Sequence, residues 1–177
     1  NPLPPLGLGY LGSVLEDNNI EVKIVDCLLE GWHNRVEITK DIIRVGLSFE
    51  HIEDIIRDYA PDIVGVNNLF TRQRENAHKI YEIAKNIDKH IITVAGGAHP
   101  TAMPELALSD KNLDYAVLGE GEQTLIDLIE VIEGRNDFSA LDGVGYKDNG
   151  NIRILPKSRF IEDLDSISFP ARHLLNM

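Results

Sequence analysis

Short apolar runs alternate along the chain with segments whose apolar residues recur every three to four positions. That alternation is the pattern of a parallel sheet covered by helices. The first helix is expected over residues 6–16, with Leu8, Leu11, Val14 and Leu15 on one face and Gly9 and Gly12 allowing close packing. Asp17-Asn18-Asn19 ends it, because these side chains bond local backbone in turns. A strand is expected over 20–26, where Val22, Ile24 and Val25 are apolar. Residues 31–47 break the alternation. There, 35–38 and 42–45 flank Thr39-Lys40-Asp41 and predict an inserted β-hairpin. A helix over 49–59 follows, with Ile52, Ile55, Ile56 and Tyr59 on one side, Ser48 as N-cap and Pro61 closing it.

Residues 62–67 read as a buried strand, and 72–87 as a helix presenting Ala77, Ile80, Tyr81, Ala84 and Ile87. A second strand over 90–95 ends at Gly96-Gly97. A short helix near 103–109 leads to a third strand over 114–118. Gly119-Glu120-Gly121-Glu122 then opens a helix in which Leu125, Leu128, Ile129 and Ile132 face inward, and Gly134 stops it. Residues 143–146 and 152–155 flank Asn149-Gly150-Asn151, a strong hairpin signal. From Pro156 to Met177 the chain loses its period and reads as a linker.

The expected fold is α/β: a Rossmann or flavodoxin-like, doubly wound, mostly parallel sheet with an inserted hairpin and a C-terminal hairpin extension. Residues 1–135 would form the domain and 136–177 the hairpin and linker. A fold of this type begins with a strand, whereas this sequence begins in a loop, and its tail leads onward. Both ends are therefore expected to belong to a longer polypeptide.

Charge and cysteine content narrow the function classes. The 177 residues carry a formal net charge of −12, which repels phosphate backbones and anionic lipid surfaces. Nucleic acid and membrane are accordingly poor partners, and there is no signal peptide or apolar run long enough to span a bilayer. The single cysteine, Cys27, precludes a disulfide or an all-cysteine metal site within these residues and fits a reducing cytoplasm. Cys27 itself reads as a small buried hydrophobe at a strand end.

In open parallel sheets, ligands bind outside the carboxyl ends of the strands. Four segments lie there: Leu6-Gly7 with Gly9; Asn67-Asn68-Leu69-Phe70-Thr71; Gly96-Gly97-Ala98-His99-Pro100-Thr101; and Gly119-Glu120-Gly121-Glu122. Paired glycines let a backbone approach a ligand with no Cβ in the way and permit positive φ. Asn67, Asn68, Thr71 and Thr101 supply neutral donors and acceptors. Helix starts near 72 and 121 add partial positive charge. The rim suits a large neutral or weakly anionic ligand rich in amides. Glu120 and Glu122 read as carboxylates that complement the helix macrodipole, and His99 before Pro100 as a ligand residue or a turn cap. The other histidines show no metal-ligand spacing. Gly7-Leu8-Gly9-Tyr10-Leu11-Gly12 imitates a dinucleotide fingerprint but sits inside an expected helix.

Five segments then combine in order: Pro5-Leu6-Gly7-Leu8-Gly9-Tyr10-Leu11, Pro61-Asp62-Ile63-Val64-Gly65-Val66, residues 94–101, residues 114–122, and the tail 164–172. Together they make the chain resemble the N-terminal cobalamin-binding domain of cobalamin-dependent radical SAM enzymes. The resemblance implies cobalamin as the ligand of Leu6, Gly7, Asn67, Asn68, Leu69, Thr71, Gly96, Gly97, His99, Pro100, Thr101, Gly119, Glu120, Gly121 and Glu122. In cobalamin domains of the methionine synthase and mutase type, D-x-H-x-x-G, S-x-L and G-G recur. Asn67-Asn68-Leu69 is similar to S-x-L with Asn for Ser, and Gly96-Gly97 follows at close to the family's separation. Residues 2–7 fall on D-x-H-x-x-G, which puts Pro4 where the cobalt-ligating histidine would stand. Proline offers cobalt no lone pair, so the resemblance implies base-off binding with no histidine from this loop.

The resemblance further implies, for the parent enzyme, a radical SAM domain in the same polypeptide, a 4Fe–4S cluster, S-adenosylmethionine and a small-molecule substrate. A methyl group would pass between the two domains, or the cofactor would assist another radical step. No C-x-x-x-C-x-x-C run occurs in this chain, so the cluster would be held elsewhere. Two other readings remain open: a flavodoxin-like nucleotide or flavin site, favoured only by the glycines at 7–12, and a regulatory interaction domain. A receiver domain would need a phosphorylatable aspartate where Asn67 and Asn68 occupy the central strand's end.

Overall fold

The structure, a computed structural model, describes residues 3–175 and divides into two compact units, 3–59 with 167–175 and 60–166. The first unit contains α1 (Leu6–Asp17), α2 (Cys27–Glu30), the hairpin β1 (Arg35–Thr39) and β2 (Ile42–Val45), and α3 (Phe49–Tyr59). Helix α1 forms as the apolar period predicts, but its buried positions are Gly9, Gly12, Ser13 and Leu15. The glycines are close-packing sites. A Cβ on Gly9 would lie 3.0 Å from Pro170 Cβ, and one on Gly12 would lie 3.0 Å from Leu174 Cδ1. Ala171 N donates to Gly9 O at 2.9 Å, so the tail docks along this helix. The fingerprint-like glycines thus serve helix packing and form no phosphate loop.

The expected strand at 20–26 is not one. Its residues lie outside regular structure, because no neighbouring chain offers them a ladder of hydrogen bonds. Asp26 instead caps α2, its Oδ1 accepting from Leu28 N at 3.1 Å and Leu29 N at 2.9 Å. Cys27 therefore opens a helix and is half-buried. Burial, then the nearby Glu30 and Asp26 carboxylates, push its thiol up to about 11. Ser48 caps α3 as expected, accepting from His51 N at 3.2 Å.

The second unit is a sheet of β3 (Ile63–Asn67), β4 (Ile92–Gly96), β5 (Tyr115–Val117), β6 (Val144–Asp148) and β7 (Asn151–Leu155), in that spatial order. The first three strands are parallel, while β6 and β7 add antiparallel as a hairpin. Asn149 (φ 49°) and Gly150 (φ 83°) both take positive φ, which gives a turn whose twist matches its strands. Among the described residues β3 is the edge of this sheet rather than its centre. Helices α4 (Arg74–Ile87), α5 (Ala98–Ala102), α6 (Pro104–Leu108) and α7 (Glu122–Ile132) connect the strands. Ala77, Tyr81, Ala107 and Leu108 cover one face over Ala95 and Ala116, and Leu128 and Val131 cover the other over Val94, Val117 and Val144. Helices on both faces make the sheet doubly wound. Among the described residues no helix is long and apolar enough to cross a membrane.

After β7 the chain has no apolar period, yet it is firmly bound to its unit. Buried Asp142 accepts from Ser158 N at 2.9 Å and Arg159 N at 3.0 Å, and from the Ser158 hydroxyl. Lys157 Nζ donates to Thr124 Oγ1 at 2.6 Å, and Arg159 Nη2 to Asp127 Oδ2 at 2.9 Å. Burial raises the Asp142 pKa, but the donors on Ser158 and Arg159 and the Lys157 charge outweigh it, leaving the carboxyl below the ordinary 3.8. A depressed folded-state pKa gives stability that is complete above 3.8 and lost as pH falls through the lower folded value. Asp142→Ala is expected to destabilise by roughly 2–3 kcal/mol in denaturant unfolding at pH 7, the range for bonds to a charged group. Asp142→Asn should flatten the loss of stability that the wild type shows on acidification below pH 3.8.

Candidate functional site

Parallel pairing sets the carboxyl ends of β3, β4 and β5 side by side, with Asn67 paired to Gly96. The ladder continues into the loops. Asn68 N donates to Gly96 O at 2.8 Å, and His99 N donates to Asn68 O at 3.0 Å. Thr101 Oγ1 donates to Gly97 O at 2.8 Å and accepts from Gly119 N at 2.9 Å. Three of the four segments singled out from the sequence therefore form one hydrogen-bonded rim. Leu69 and Phe70 stand 49% and 62% exposed on it, an apolar surface among polar loops.

The glycine pair divides its work. Gly97 has φ +97°, and a Cβ there would lie 2.4 Å from Asn67 Oδ1 and 2.9 Å from Asn68 O, so Gly97 shapes the turn. Gly96 has ordinary φ, and a Cβ there would meet nothing within 4 Å. Gly65, which the sequence reading did not single out, is equally open. Gly65 lies two residues before Asn67 on β3, and Asn67 pairs with Gly96, so all three point to the face that carries α7. They form an open trough beside α7. Of the pair, the open space thus belongs to Gly96, together with Gly65, because side-chain alternation turns Gly97 out of the strand's open face.

His99 and Pro100 lie in α5 rather than in a loop, both buried. Thr71 Oγ1 and His99 Nδ1 are 3.0 Å apart. Burial, then the positive charge of Arg74 and of His78, hold the His99 pKa below the ordinary 6.5, so the ring is neutral at pH 7. Asn68 Oδ1 and His99 Nε2 are buried without a hydrogen-bond partner. Such orphans in a native core call for an explanation, and a binding site is one.

The acidic pair separates. Glu122 sits in the first turn of α7, as a macrodipole partner should. Glu120 Oε2 accepts from Ile161 N at 2.8 Å and tethers the segment after β7. Gly119 has φ +70° and Gly121 directly precedes α7. Leu6 and Gly7 lie in the other unit at the start of α1, both exposed. Leu3, Pro4, Leu6, Arg172 and Leu175 line a largely apolar cleft of about 340 Å³ there. Pro2 lies outside the described residues. Among the described residues no group of three or more histidine, cysteine or carboxylate side chains gathers at metal-holding distance.

This geometry defines an α/β domain with a hydrogen-bonded polar rim at the carboxyl edge of a parallel sheet and a glycine trough beside it. The sequence pattern of the B12-binding domain matches residues 1–129, and the chain belongs to that family. It is 34% identical over 196 residues to cytidylyl-2-hydroxyethylphosphonate methyltransferase of Streptomyces wedmorensis, covering 98% of this chain and 37% of that protein. Its fold matches the cobalamin-dependent S-adenosylmethionine radical enzyme OxsB with aqua-cobalamin bound (TM-score 0.73, 20% identity, 94% of this chain and 21% of that one). It also matches the radical S-adenosylmethionine methyltransferase TsrM from Kitasatospora setae with cobalamin and an iron–sulfur cluster bound (TM-score 0.67, 19% identity, 96% of this chain and 29% of that one). The chain spans about a third of the length of the relative it matches. It is therefore a B12-binding domain similar to the cobalamin modules of radical SAM methyltransferases, and the nucleotide or flavin alternative is not favoured.

The two glycines separate in a stability measurement. Gly97→Ala is expected to lower stability by roughly 1–3 kcal/mol, through strain at positive φ and the clash with Asn67. Gly96→Ala should stay within about 1 kcal/mol of wild type in the same thermal melts, since its Cβ meets no neighbour.

Proposed function

We propose that this chain is the cofactor module of a larger radical SAM enzyme, a methyltransferase or related radical enzyme, and holds cobalamin base-off across its glycine trough. The observation that carries the reading is the open face at Gly65 and Gly96, where two missing Cβ atoms leave room for an extended group. The corrin would sit at the rim of Asn67–Thr71, Gly97–Thr101 and Gly119–Glu122, with Leu69 and Phe70 against its apolar parts. The nucleotide tail would run down the trough.

The residues contribute in distinct ways. Gly97 and Gly119 hold turns that other residues could not adopt without strain. Thr101 joins the two turns by its hydroxyl, accepting from one and donating to the other. Glu120 anchors the segment after β7, which makes it a support of the rim more than a ligand. Leu6 and Gly7 open α1 directly after Pro4, and proline offers a metal no lone pair, so residues 2–7 would supply no histidine to cobalt. When bound, cobalamin supplies a cobalt centre that can carry a methyl group.

In the parent polypeptide a radical SAM domain, with its 4Fe–4S cluster and S-adenosylmethionine, is the partner, and a small molecule is the substrate. The net charge of −12 disfavours nucleic acid and anionic membrane as partners, and the single cysteine fits a cytoplasmic enzyme. Titration with hydroxocobalamin, followed by desalting and a visible spectrum, tests the module. A retained corrinoid band is expected, and Gly96→Trp should weaken binding by at least about 100-fold by filling the trough, equivalent to about 2.7 kcal/mol. Wild-type affinity in that variant would place the ligand elsewhere. After reduction to the cobalt(II) state, the electron paramagnetic resonance spectrum should lack nitrogen splitting. A nitrogen triplet would contradict base-off binding without a histidine ligand.

A further inference from the structure

Building on the cobalamin reading, we propose that His99 is a positioning residue whose Nδ1 bond to Thr71 latches the loop after β3 onto the turn after β4. Three observations carry this. First, the two segments are joined at both ends of the loop: at its start by His99 N donating to Asn68 O at 3.0 Å, and at its end by the Thr71–His99 bond at 3.0 Å. Leu69 and Phe70 lie between these ties, exposed, with Gln73 N closing the turn onto Phe70 O at 2.8 Å. The latch therefore sets where the apolar surface of the rim stands.

Second, His99 is 3% exposed while Thr71, its partner, is at the surface. A buried imidazole reaching out to hold a surface hydroxyl orders the loop from beneath. Third, its Nε2 is buried without a partner. An apolar side chain would fill that space with no unsatisfied nitrogen, so packing alone does not account for a histidine. The groups that face the ring are Arg74 and His78 on α4, and His78 is itself 3.3 Å from Asp110 Oδ2. With a folded-state pKa below 6.5, the neutral latch is complete above pH 6.5 and is lost as pH falls through the lower folded value.

Side-chain geometry gives a test that separates the latch from simple packing. In His99→Asn the amide stands near the Nδ1 position, whereas in His99→Gln it stands near Nε2. His99→Gln and Thr71→Val should each weaken hydroxocobalamin binding about tenfold, and each should speed amide exchange at residues 69–73. His99→Asn and Thr71→Ser should stay within about threefold of wild type, and the double variant His99→Gln/Thr71→Val should be no worse than either single one. Wild-type affinity should also fall on acidification below pH 6.5, and that dependence should vanish in His99→Asn. Equal losses in His99→Asn and His99→Gln, or additive losses in the double variant, would overturn the latch. Amide exchange is measured without cofactor. If wild type retains no cobalamin, the cofactor reading fails, while the exchange pattern still decides the latch.

Discussion

The parallel pairing of β3, β4 and β5 is the constraint on which the site depends. Pairing of Asn67 with Gly96 places two loops beside each other, and the ladder bond from Asn68 N to Gly96 O extends their register past the strands. Everything at the rim follows from that alignment. Thr101 can join the Gly97 and Gly119 turns only because β4 and β5 end side by side. The two open glycines share a face only because β3 and β4 are in register.

Two sets of polar groups in the second unit differ in kind. Beside the Gly119–Glu122 turn, charged groups are nearly fully satisfied. Asp142, Asp127 and Glu120 each accept from the segment after β7, and that segment holds its course without any apolar repeat. At the rim, by contrast, Asn68 Oδ1 and His99 Nε2 are buried without partners. The charged network fixes the segment after β7, and the unmet hydrogen bonding lies beneath the loop after β3.

Much of this was legible in the sequence. Apolar period located α1, α3, α4 and α7, and Asn149-Gly150 marked the β6–β7 turn because both residues tolerate positive φ. Asn67–Thr71, Gly96–Thr101 and Gly119–Glu122 stood out by composition, and the fold brings them together. Other features depend on pairing and carry no local signal. Residues 20–26 have a strand's composition but form no strand, and composition alone does not say that β3 is an edge. Gly65 looked like any glycine inside a strand until its pairing put it on the same face as Gly96. The hold of Asp142 on residues 158 and 159 arises from single polar contacts, which leave no period to read. The helical glycines 9 and 12 imitated a phosphate loop, yet each meets an apolar side chain of the tail.

The central claim is that cobalamin lies across the rim with its nucleotide tail in the trough at Gly65 and Gly96. A crystal structure of the chain soaked or grown with hydroxocobalamin tests it most directly. The account predicts density for the tail over Gly65 and Gly96 on the face that carries α7, with no histidine nitrogen bonded to cobalt. A tail on the opposite face, over Ala95 and Ala116, or a histidine on cobalt, would contradict it.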